Sequence, residues 1–178
     1  MKESLSNNIY SKTWSLNDIG EDDIWQILEE VKDPEVPVLS VVDLGIIRSV
    51  KKEGEKVEII ITPTYSGCPA MDVISMDIRL KLLEKGFKNI QVKQSLSPAW
   101  TTDWMTENGK KKLKKYGIAP PNPKQQFCKD EMFAEEAIEC PQCKSYNTKL
   151  ISQFGSTACK SMYQCQDCKE AFDYFKCH

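Results

Sequence analysis

The chain has 178 residues, of which 40% are hydrophobic and 28% charged, and its formal net charge is −2. Such a chain can form one ordinary globular domain and a second, smaller one. Its charge gives no general attraction to nucleic acid or to anionic membranes, and no apolar run is long enough to span a bilayer. The polar residues 1–12 lack the apolar core of a signal peptide. We therefore expect a cytoplasmic protein that binds neither nucleic acid nor membrane.

Eight cysteines and a single histidine limit the chemistry that is open to the chain. Cys68 stands alone in the first two-thirds of the sequence, whereas the other seven cysteines lie in the last third. Because cytoplasmic thiols stay reduced, this clustering is more typical of metal binding than of disulfides. With His178 as its one histidine, the chain has almost no base for Ser-His or Cys-His catalysis.

A flexible tail is predicted over residues 1–16, and an α/β domain over residues 17–117. The first helix of this domain begins near Asn17 and ends before Pro34, because the residue before a proline is pushed toward extended geometry. Its apolar residues recur at helical spacing and form one stripe, made of Ile24, Ile27, Leu28 and Val31.

A small mixed sheet is predicted to follow this helix. Strands over residues 46–51 and 57–62 are joined by a short turn, which implies an antiparallel hairpin. A helix over residues 69–85 and a strand over residues 89–96 then favour a right-handed crossover with parallel strands. The broad apolar face of that helix contains Val73, Ile74, Ile78, Leu82 and Leu83. The fold class is therefore α+β, with a β-hairpin plus a βαβ crossover packed with helices.

Three loops are predicted to meet at one rim of this sheet, over residues 43–45, 62–68 and 97–101. Ligands of α/β sheets favour such a position, next to the carboxyl ends of strands and the N-termini of helices. The candidate site consists of one thiol with acids and a hydroxyl around it, namely Cys68, Asp43, Glu35 and Thr64. Alternatively, the two acids only support turns, as acids in loops often do.

Cys68 has the most distinctive surroundings of these candidates, because it lies between Gly67 and Pro69 at the predicted start of a helix. Proline suits the first helical position, so Cys68 is predicted to be the N-cap. Unpaired N–H groups and the helix dipole there favour a thiolate, which can bind a metal ion, bind a cluster or attack an electrophile. The alternative is a small residue buried in a tight turn.

A lysine-rich helix is predicted over residues 107–116, ending at Gly117. We interpret its lysines as a solvated face, although an acidic partner or a phosphate would also suit them. A Pro-containing linker is predicted over residues 118–137. It includes Cys128, to which we assign no role.

The strongest chemical signal is a pair of C-x-x-C motifs, separated by 21 residues, in a module predicted over residues 138–178. Their cysteines are Cys140, Cys143, Cys165 and Cys168. This is close to zinc-ribbon spacing, and two such turns complete a tetrahedral Cys₄ site. Strands are predicted over residues 148–154 and 161–164, and a small core is predicted to contain Phe172, Tyr174 and Phe175. Because so small a module buries little apolar surface, bound metal would supply folding free energy.

Zinc is favoured for this site by the spacing and the cytosolic setting, with rubredoxin-like iron as the alternative. A closed Cys₄ site has no open coordination position, so we expect a structural role. Three further residues with ligand atoms match no firm spacing, namely Cys159, Cys177 and His178. They could form a looser second metal site or a redox-active thiol group, or they could simply pack.

Several of these motifs resemble those of known families. Asp33-Pro34-Glu35, Val42-Asp43-Leu44-Gly45, Thr62-Pro63 and Gly67-Cys68-Pro69 resemble the metal–sulfur cluster assembly factor family. The resemblance becomes more specific with the run from Ser97 to Trp104, with Phe154-Gly155-Ser156-Thr157 before Cys159-Lys160, and with the ending from Phe172 to His178. Together with the ribbon, these motifs are similar to the PaaD family of phenylacetate-CoA oxygenase components, from about Ile24 to His178.

That resemblance implies a role in aerobic phenylacetate breakdown. The oxygenase of this system epoxidises the ring of phenylacetyl-CoA, using a di-iron subunit and a flavin/iron–sulfur reductase subunit. The resemblance implies that the PaaD component is accessory, not catalytic by itself, and inserts or maintains the iron–sulfur cluster or iron of the other subunits. The implied partners are those subunits, above all the iron–sulfur reductase, and oligomerisation is left open.

The implied cofactors are structural zinc in the ribbon and a transient iron ion or iron–sulfur cluster at Cys68, with Asp43 and Glu35 tuning or sharing its ligation. The residues agree with an accessory role. The sequence has no Glu-x-x-His pairs for a di-iron site, and no glycine pattern for a flavin, NAD or nucleotide site.

Two other functions stay open. The protein could be a stoichiometric structural subunit of the oxygenase, in which Cys68 only packs. It could also be a thiol enzyme with Cys68 as nucleophile, which the shortage of histidine disfavours.

Overall fold

The computed structural model describes residues 19–121 and 138–176. The predicted tail and Cys128, Cys177 and His178 lie outside these ranges. The described chain contains three α-helices and two three-stranded sheets, which confirms the α+β class. No helix within the two ranges is long and apolar enough to cross a membrane. The predicted domain boundaries stay a prediction, and we refer to residues 19–117 as the N-terminal region and to residues 138–176 as the ribbon.

The N-terminal region contains the predicted hairpin and crossover. Its strands and central helix are β1 (Ile47–Glu53), β2 (Lys56–Ile61), α2 (Ala70–Glu84) and β3 (Asn89–Gln94). β1 pairs antiparallel with β2 through a two-residue turn, and β2 pairs parallel with β3. The sheet order is β1-β2-β3, so the mixed sheet is as predicted.

The helices α1 (Glu21–Leu28) and α3 (Glu107–Tyr116) flank this sheet in sequence. α1 ends well before Pro34, so its predicted end is wrong. Val31 is nevertheless 3% exposed and belongs to the hydrophobic core. Its backbone is also paired, since its N–H donates to the carbonyl of Leu28 and its carbonyl accepts from the N–H of Val41 at 3.0 Å. α3 has the predicted bounds, with the Thr106 hydroxyl accepting from the N–H of Gly109 at its start.

The apolar face predicted for α2 is partly wrong. The buried side of the helix consists of Ala70, Met71, Ile74, Ile78 and Leu82. Val73 and Leu83 lie on the opposite side, where they are 48% and 50% exposed, and Met76 and Leu80 lie exposed there as well. Apolar residues occur on both sides of α2, so spacing alone could not separate the buried side from the exposed one.

The ribbon is an antiparallel sheet of three strands in the order β4-β5-β6. The strands are β4 (Thr148–Ser152), β5 (Lys160–Cys165) and β6 (Ala171–Phe175). Phe172 and Tyr174 pack against Tyr163 in the ribbon's own small core, as predicted. Phe175 does not, because it belongs to the core of the N-terminal region and meets Trp100 edge to face at 6.3 Å between ring centroids.

The ribbon makes backbone contacts with the segment that follows α3 and a side-chain contact with α3 itself. The N–H of Ala119 donates to the carbonyl of Asp173 at 2.8 Å, and the N–H of Phe175 donates to the carbonyl of Ala119 at 2.9 Å. Lys114 of α3 forms an ion pair with Glu139 at 2.9 Å. Residues 118–121, placed in the linker by the sequence, therefore begin with a short extension of the ribbon sheet.

Candidate functional site

The three predicted loops do meet at one rim of the first sheet. The N–H of Thr62 donates to the carbonyl of Ile46, and that of Ser95 donates to the carbonyl of Ile61, both at 2.8 Å. The indole Nε1 of Trp100 donates to the carbonyl of Leu44 at 3.0 Å. The loops over residues 43–45, 62–68 and 97–101 are therefore neighbours in space.

Asp43 lies at this rim, but its carboxylate accepts hydrogen bonds from side chains of α3 and of the residue just before it. Oδ1 accepts hydrogen bonds from Thr106 and Asn108 at 3.1 and 3.3 Å. Oδ2 accepts from the N–H of Ser40 at 3.0 Å and from Nζ of Lys112. Burial alone would raise the pKa of Asp43, but the hydrogen bonds from Lys112 and Ser40 outweigh it and hold the pKa below its usual value.

The sequence predicts that the lysines of α3 form a solvated face, and this prediction is only partly correct. Lys112 reaches the buried Asp43 carboxylate, and Lys114 reaches Glu139 in the ribbon. The reason is that α3 packs against the rim, so part of its charged side turns toward neighbouring segments.

Cys68 precedes α2, but not as its N-cap. The helix begins at Ala70 with Pro69 as the N-cap, one residue later than the sequence predicts. The half-buried sulfur of Cys68 still accepts a hydrogen bond from the N–H of Ala70 and another from the Tyr65 hydroxyl. Burial is the largest influence and raises the pKa of the Cys68 thiol, and the nearby charges of Glu35 and Asp33 raise it further. The expected lowering by the helix N-terminus is therefore outweighed.

Glu35 is held near Cys68 by a tight turn after α1. Asp33 forms this turn, because its Oδ1 accepts hydrogen bonds from the N–H groups of Glu35 at 2.8 Å and Val36 at 2.7 Å. The Asp33 side chain is buried, and burial raises its pKa. The turn leaves Glu35 half-buried, with its carboxylate directed toward thiols.

Cys159 is the functional candidate whose position the sequence does not reveal. It lies just before β5 and is 5% exposed. Its Sγ is 3.8 Å from Oε2 of Glu35, although the two residues are 124 positions apart in sequence. The Thr157 hydroxyl is 3.0 Å from the same sulfur. The sequence analysis leaves Cys159 as one of three residues with ligand atoms but no firm spacing. No spacing rule predicts that it lies close to Glu35.

The charges of these groups influence one another. Burial and the neighbouring groups Cys68, Glu35 and Cys159 raise the pKa of Tyr65 to about 12. Burial and Glu35 raise the pKa of Cys159, whereas Lys160 works to lower it. We call the set consisting of Asp33, Glu35, Tyr65, Cys68, Cys159 and Lys160 the interface cluster. Thr64 is half-buried, and none of the hydrogen bonds described for residues 19–121 joins it to Cys68.

The second candidate site is the four-cysteine cluster of the ribbon. Within the two described ranges, Cys140, Cys143, Cys165 and Cys168 are the group whose ligand atoms all lie within 4.8 Å of one another. The sulfurs of Cys140 and Cys168 are 3.8 Å apart, and those of Cys143 and Cys165 are 3.5 Å apart. A tetrahedral ion with bonds of about 2.3 Å to sulfur has sulfur–sulfur edges of about 3.8 Å. The donor set and its spacing therefore fit a metal ion.

The backbone supports this cluster in the same way at both C-x-x-C turns. The residue after each motif, Lys144 or Lys169, has a positive φ of 68° or 66°. This left-handed residue closes each turn. The N–H groups of Cys168 and Asp167 point at the Cys165 sulfur and hold the pKa of this thiol below its usual value, which favours the thiolate that metal ions bind.

Comparison with known proteins finds two family models that match different parts of the chain. An "Iron-sulfur cluster assembly protein" family model matches residues 21–93, and a "PaaD zinc beta ribbon domain" model matches residues 124–176. A protein of Escherichia coli (strain K12), provisionally named as the D subunit of 1,2-phenylacetyl-CoA epoxidase, is 48% identical over 155 residues, which cover 87% of this chain and 92% of that protein. The chain belongs to the PaaD family of phenylacetyl-CoA epoxidase subunits.

Two further proteins resemble about half of this PaaD family member. The "Fe-S protein maturation auxiliary factor" of Porphyromonas gingivalis (strain ATCC BAA-308 / W83) is 39% identical over 89 residues, covering 49% of this chain and 84% of that protein. The crystal structure of a Domain of Unknown Function DUF59 from Bacillus anthracis is 29% identical, covers 52% of this chain and 90% of that chain, and has a TM-score of 0.48.

The interface cluster of this PaaD family member combines residues from both family models. Glu35, Tyr65 and Cys68 lie in the part that matches the assembly model, whereas Cys159 and Lys160 lie in the part that matches the ribbon model. The cluster therefore arises where the two parts pack together.

Proposed function

We propose that this protein is an accessory component of the phenylacetyl-CoA epoxidase system that matures or maintains the iron–sulfur cluster, or the iron, of its oxygenase and reductase subunits. The observation on which this rests is the half-buried Cys68 thiol beside Glu35, in the part of the chain that matches the iron–sulfur assembly model. The 39% identical relative named as an iron–sulfur maturation factor supports the same role, and the 48% identical epoxidase component supports the system in which it acts.

The chemistry of the site suits iron as cargo. Thiolate and carboxylate are both ligands that iron accepts. Cys68 would supply the sulfur, and Glu35 would supply a carboxylate that the turn at Asp33 holds nearby. Because the sulfur is only half-buried, a client protein can reach it. Asp43 and Thr64, which the sequence includes in the site, have a smaller part in this proposal, since the Asp43 carboxylate is occupied by Lys112 and its neighbours.

For the ribbon we propose zinc with a structural role. The four thiols fit a tetrahedral ion, and four protein ligands leave no position for a substrate. The bound ion would hold together a sheet whose own core contains few buried residues. The ribbon would also help to dock the protein on the other subunits, of which the iron–sulfur reductase is the foremost candidate. We also propose a cytoplasmic location, since both the cargo site and the ribbon need reduced thiols.

The test is to produce the reductase subunit with the wild-type protein, with Cys68→Ser, or with Ser66→Ala as a control in the same loop. Iron and acid-labile sulfide in the purified reductase, and epoxidation of phenylacetyl-CoA, are then measured. We expect Cys68→Ser to leave the ribbon's zinc in place but to lower the cluster content of the reductase. Full cluster content with Cys68→Ser would refute the assignment.

The second candidate function is a stoichiometric structural subunit of the oxygenase. The exposed apolar side chains of α2 favour it, because Val73, Met76, Leu80 and Leu83 form a row on one side of the helix, and exposed apolar patches mark contact surfaces. Equimolar co-purification with the oxygenase, together with full cluster content in the reductase when this protein is missing, would favour the structural role over the maturation role.

A further inference from the structure

We propose that Cys159 of the ribbon is the second thiolate ligand of the Cys68 site, so that the cargo is a ferrous ion held between the ribbon and the N-terminal region. This inference rests on the proposed function. It adds a ligand from the other part of the chain, and it identifies the cargo as a single divalent ion. It also gives the ribbon a direct part in cargo binding, in addition to its structural metal.

Cys159 points away from the other cysteines of the ribbon. Four of those cysteines converge on one another, whereas Cys159 is part of the hydrophobic core of the N-terminal region. Its sulfur faces Glu35 at 3.8 Å and is almost completely buried. The Cys159 side chain therefore belongs to the contact between the ribbon and the N-terminal region, and not to the four-cysteine cluster.

The backbone around Cys159 is fixed by hydrogen bonds. The carbonyl of Cys159 accepts a hydrogen bond from the N–H of Lys176 at 3.0 Å, and the carbonyl of Lys160 accepts one from the N–H of Gly155 at 2.8 Å. Phe175, paired in register with Lys160, is buried against Trp100. Cys159 is therefore a rigidly placed ligand, as a binding site requires.

The balance of charge around the two thiols also favours a cation. The two thiols lie in a largely buried place beside a carboxylate, and a divalent ion that replaced their protons would offset the charges of the thiolates that bind it. Lys160 is 4% exposed and lies beside Cys159 in sequence. Its ammonium group, 3.8 Å from Asp173, acts on both Cys159 and Asp33. A divalent ion would supply the remaining positive charge.

The partial exposure of Cys68 and Glu35 suits a site that releases its ion. Within the residues that the structure describes, the ligand atoms of Cys68, Glu35 and Cys159 do not all lie within 4.8 Å of one another, so a bound ion would have to draw them closer together. Cys68 and Glu35 are both half-buried, so the ion would not be sealed off from a client protein. Two thiolates and one carboxylate leave a coordination position open to a ligand of the client, and such a site can hand over its ion.

The experiment uses the full chain, prepared anaerobically with one equivalent of zinc in the ribbon, and Co²⁺ as the spectroscopic probe for a divalent ion. Thiolate-to-cobalt charge transfer absorbs in proportion to the number of thiolate ligands. We expect wild type to bind one Co²⁺ with the absorbance of two thiolates. Cys68→Ser and Cys159→Ser should each retain about half of that absorbance and bind Co²⁺ at least about tenfold more weakly, since even outer-shell changes reach that size.

Two controls keep the readout specific. Ser156→Ala changes the same loop as Cys159, where the Ser156 hydroxyl donates to Asp173 at 2.8 Å, and it should titrate like wild type. Glu35→Gln should weaken Co²⁺ binding while both thiolate bands remain. Retained zinc in each variant, measured by metal analysis, shows that the ribbon is still folded.

The outcomes separate this inference from the proposed function. If Cys159→Ser titrates like wild type while Cys68→Ser abolishes binding and reductase maturation, Cys159 is not a ligand and the maturation role stands. If Cys68→Ser lowers Co²⁺ binding but the reductase still receives its cluster, the ion site stands and the maturation role fails. If neither serine variant changes the titration, the two-thiolate site is refuted.

Discussion

Nζ of Lys112 donates a hydrogen bond to Oδ2 of Asp43, across 69 residues of sequence. The contact joins α3 to the loop before β1, and it is strengthened by the Asp43 carbonyl, which accepts the N–H of Thr106 at 2.9 Å. Asp43 is 4% exposed, so its charge is partly desolvated and depends on these donors. The acid that the sequence offers as a metal ligand thus fixes the position of α3.

Asp43→Asn should therefore destabilise the protein by about 1–3 kcal/mol at pH 7, because buried donors lose a charged partner. The pKa of Asp43 is lowered in the folded protein, so its contribution to stability is present above the unfolded value of about 3.9 and is lost as the pH falls through the folded pKa. The measurement is the free energy of unfolding in urea, from pH 7 downward.

Asp103→Asn is the control for this change, because Asp103 is exposed and its replacement should stay within about 0.5 kcal/mol. The difference between wild type and Asp43→Asn should shrink toward zero in acid. A difference that is constant over the whole pH range would show that Asp43 stabilises by shape and not by its charge.

The meeting of the rim loops was predictable from the sequence, whereas the contacts that each side chain makes there were not. The order of strands and helices brings the loops over residues 43–45, 62–68 and 97–101 together, because a hairpin and a parallel crossover leave few topologies. Whether Asp43 faces Cys68 or α3 depends on how α3 packs, and no local pattern encodes that. The position of Cys159 depends in the same way on the contact between the ribbon and the N-terminal region.

Substitutions of two neighbouring leucines test which side of α2 is buried. Leu82 is fully buried and Leu83 is 50% exposed, although the sequence assigns both to the apolar face. Leu82→Ala should cost about 2–5 kcal/mol, the range for a leucine truncated in a core. Leu83→Ala should change the free energy of unfolding by no more than about 0.5 kcal/mol. Equal losses in thermal or urea unfolding would contradict the observed orientation of α2.

Alanine substitutions at Gly45 and Gly54 form a matched pair that tests how tightly the rim is packed. Both have a positive φ, of 68° and 60°, so alanine at either position costs about 1–2 kcal/mol in backbone conformation. At Gly45 a Cβ would also overlap the carbonyl oxygen of Trp104, whereas at Gly54 nothing lies within 4 Å. We therefore expect Gly45→Ala to be clearly more destabilising than Gly54→Ala in urea unfolding, and similar losses would exclude the steric effect.

Removal of the ribbon metal should affect more than the ribbon. Cys140 is fully buried, so Cys140→Ser could unfold the ribbon through packing alone, whereas Cys143 is exposed and its replacement tests ligation. Structural zinc supplies on the order of 10 kcal/mol in small metal-dependent modules, so both variants should lose the metal. The sheet of the ribbon, observed by amide hydrogen exchange, should then lose its protection.

Phe175 and Cys159 belong to the core of the N-terminal region, so this loss should lower the thermal stability of that region too. Tyr146→Ala, at an exposed ribbon residue, is the control and should keep one metal ion per chain. A Cys143→Ser protein with a full metal content and an unchanged melting temperature would refute the four-cysteine site. Metal loss without any effect on residues 19–117 would instead show that the two parts are energetically independent, in spite of the contact between Phe175 and Trp100.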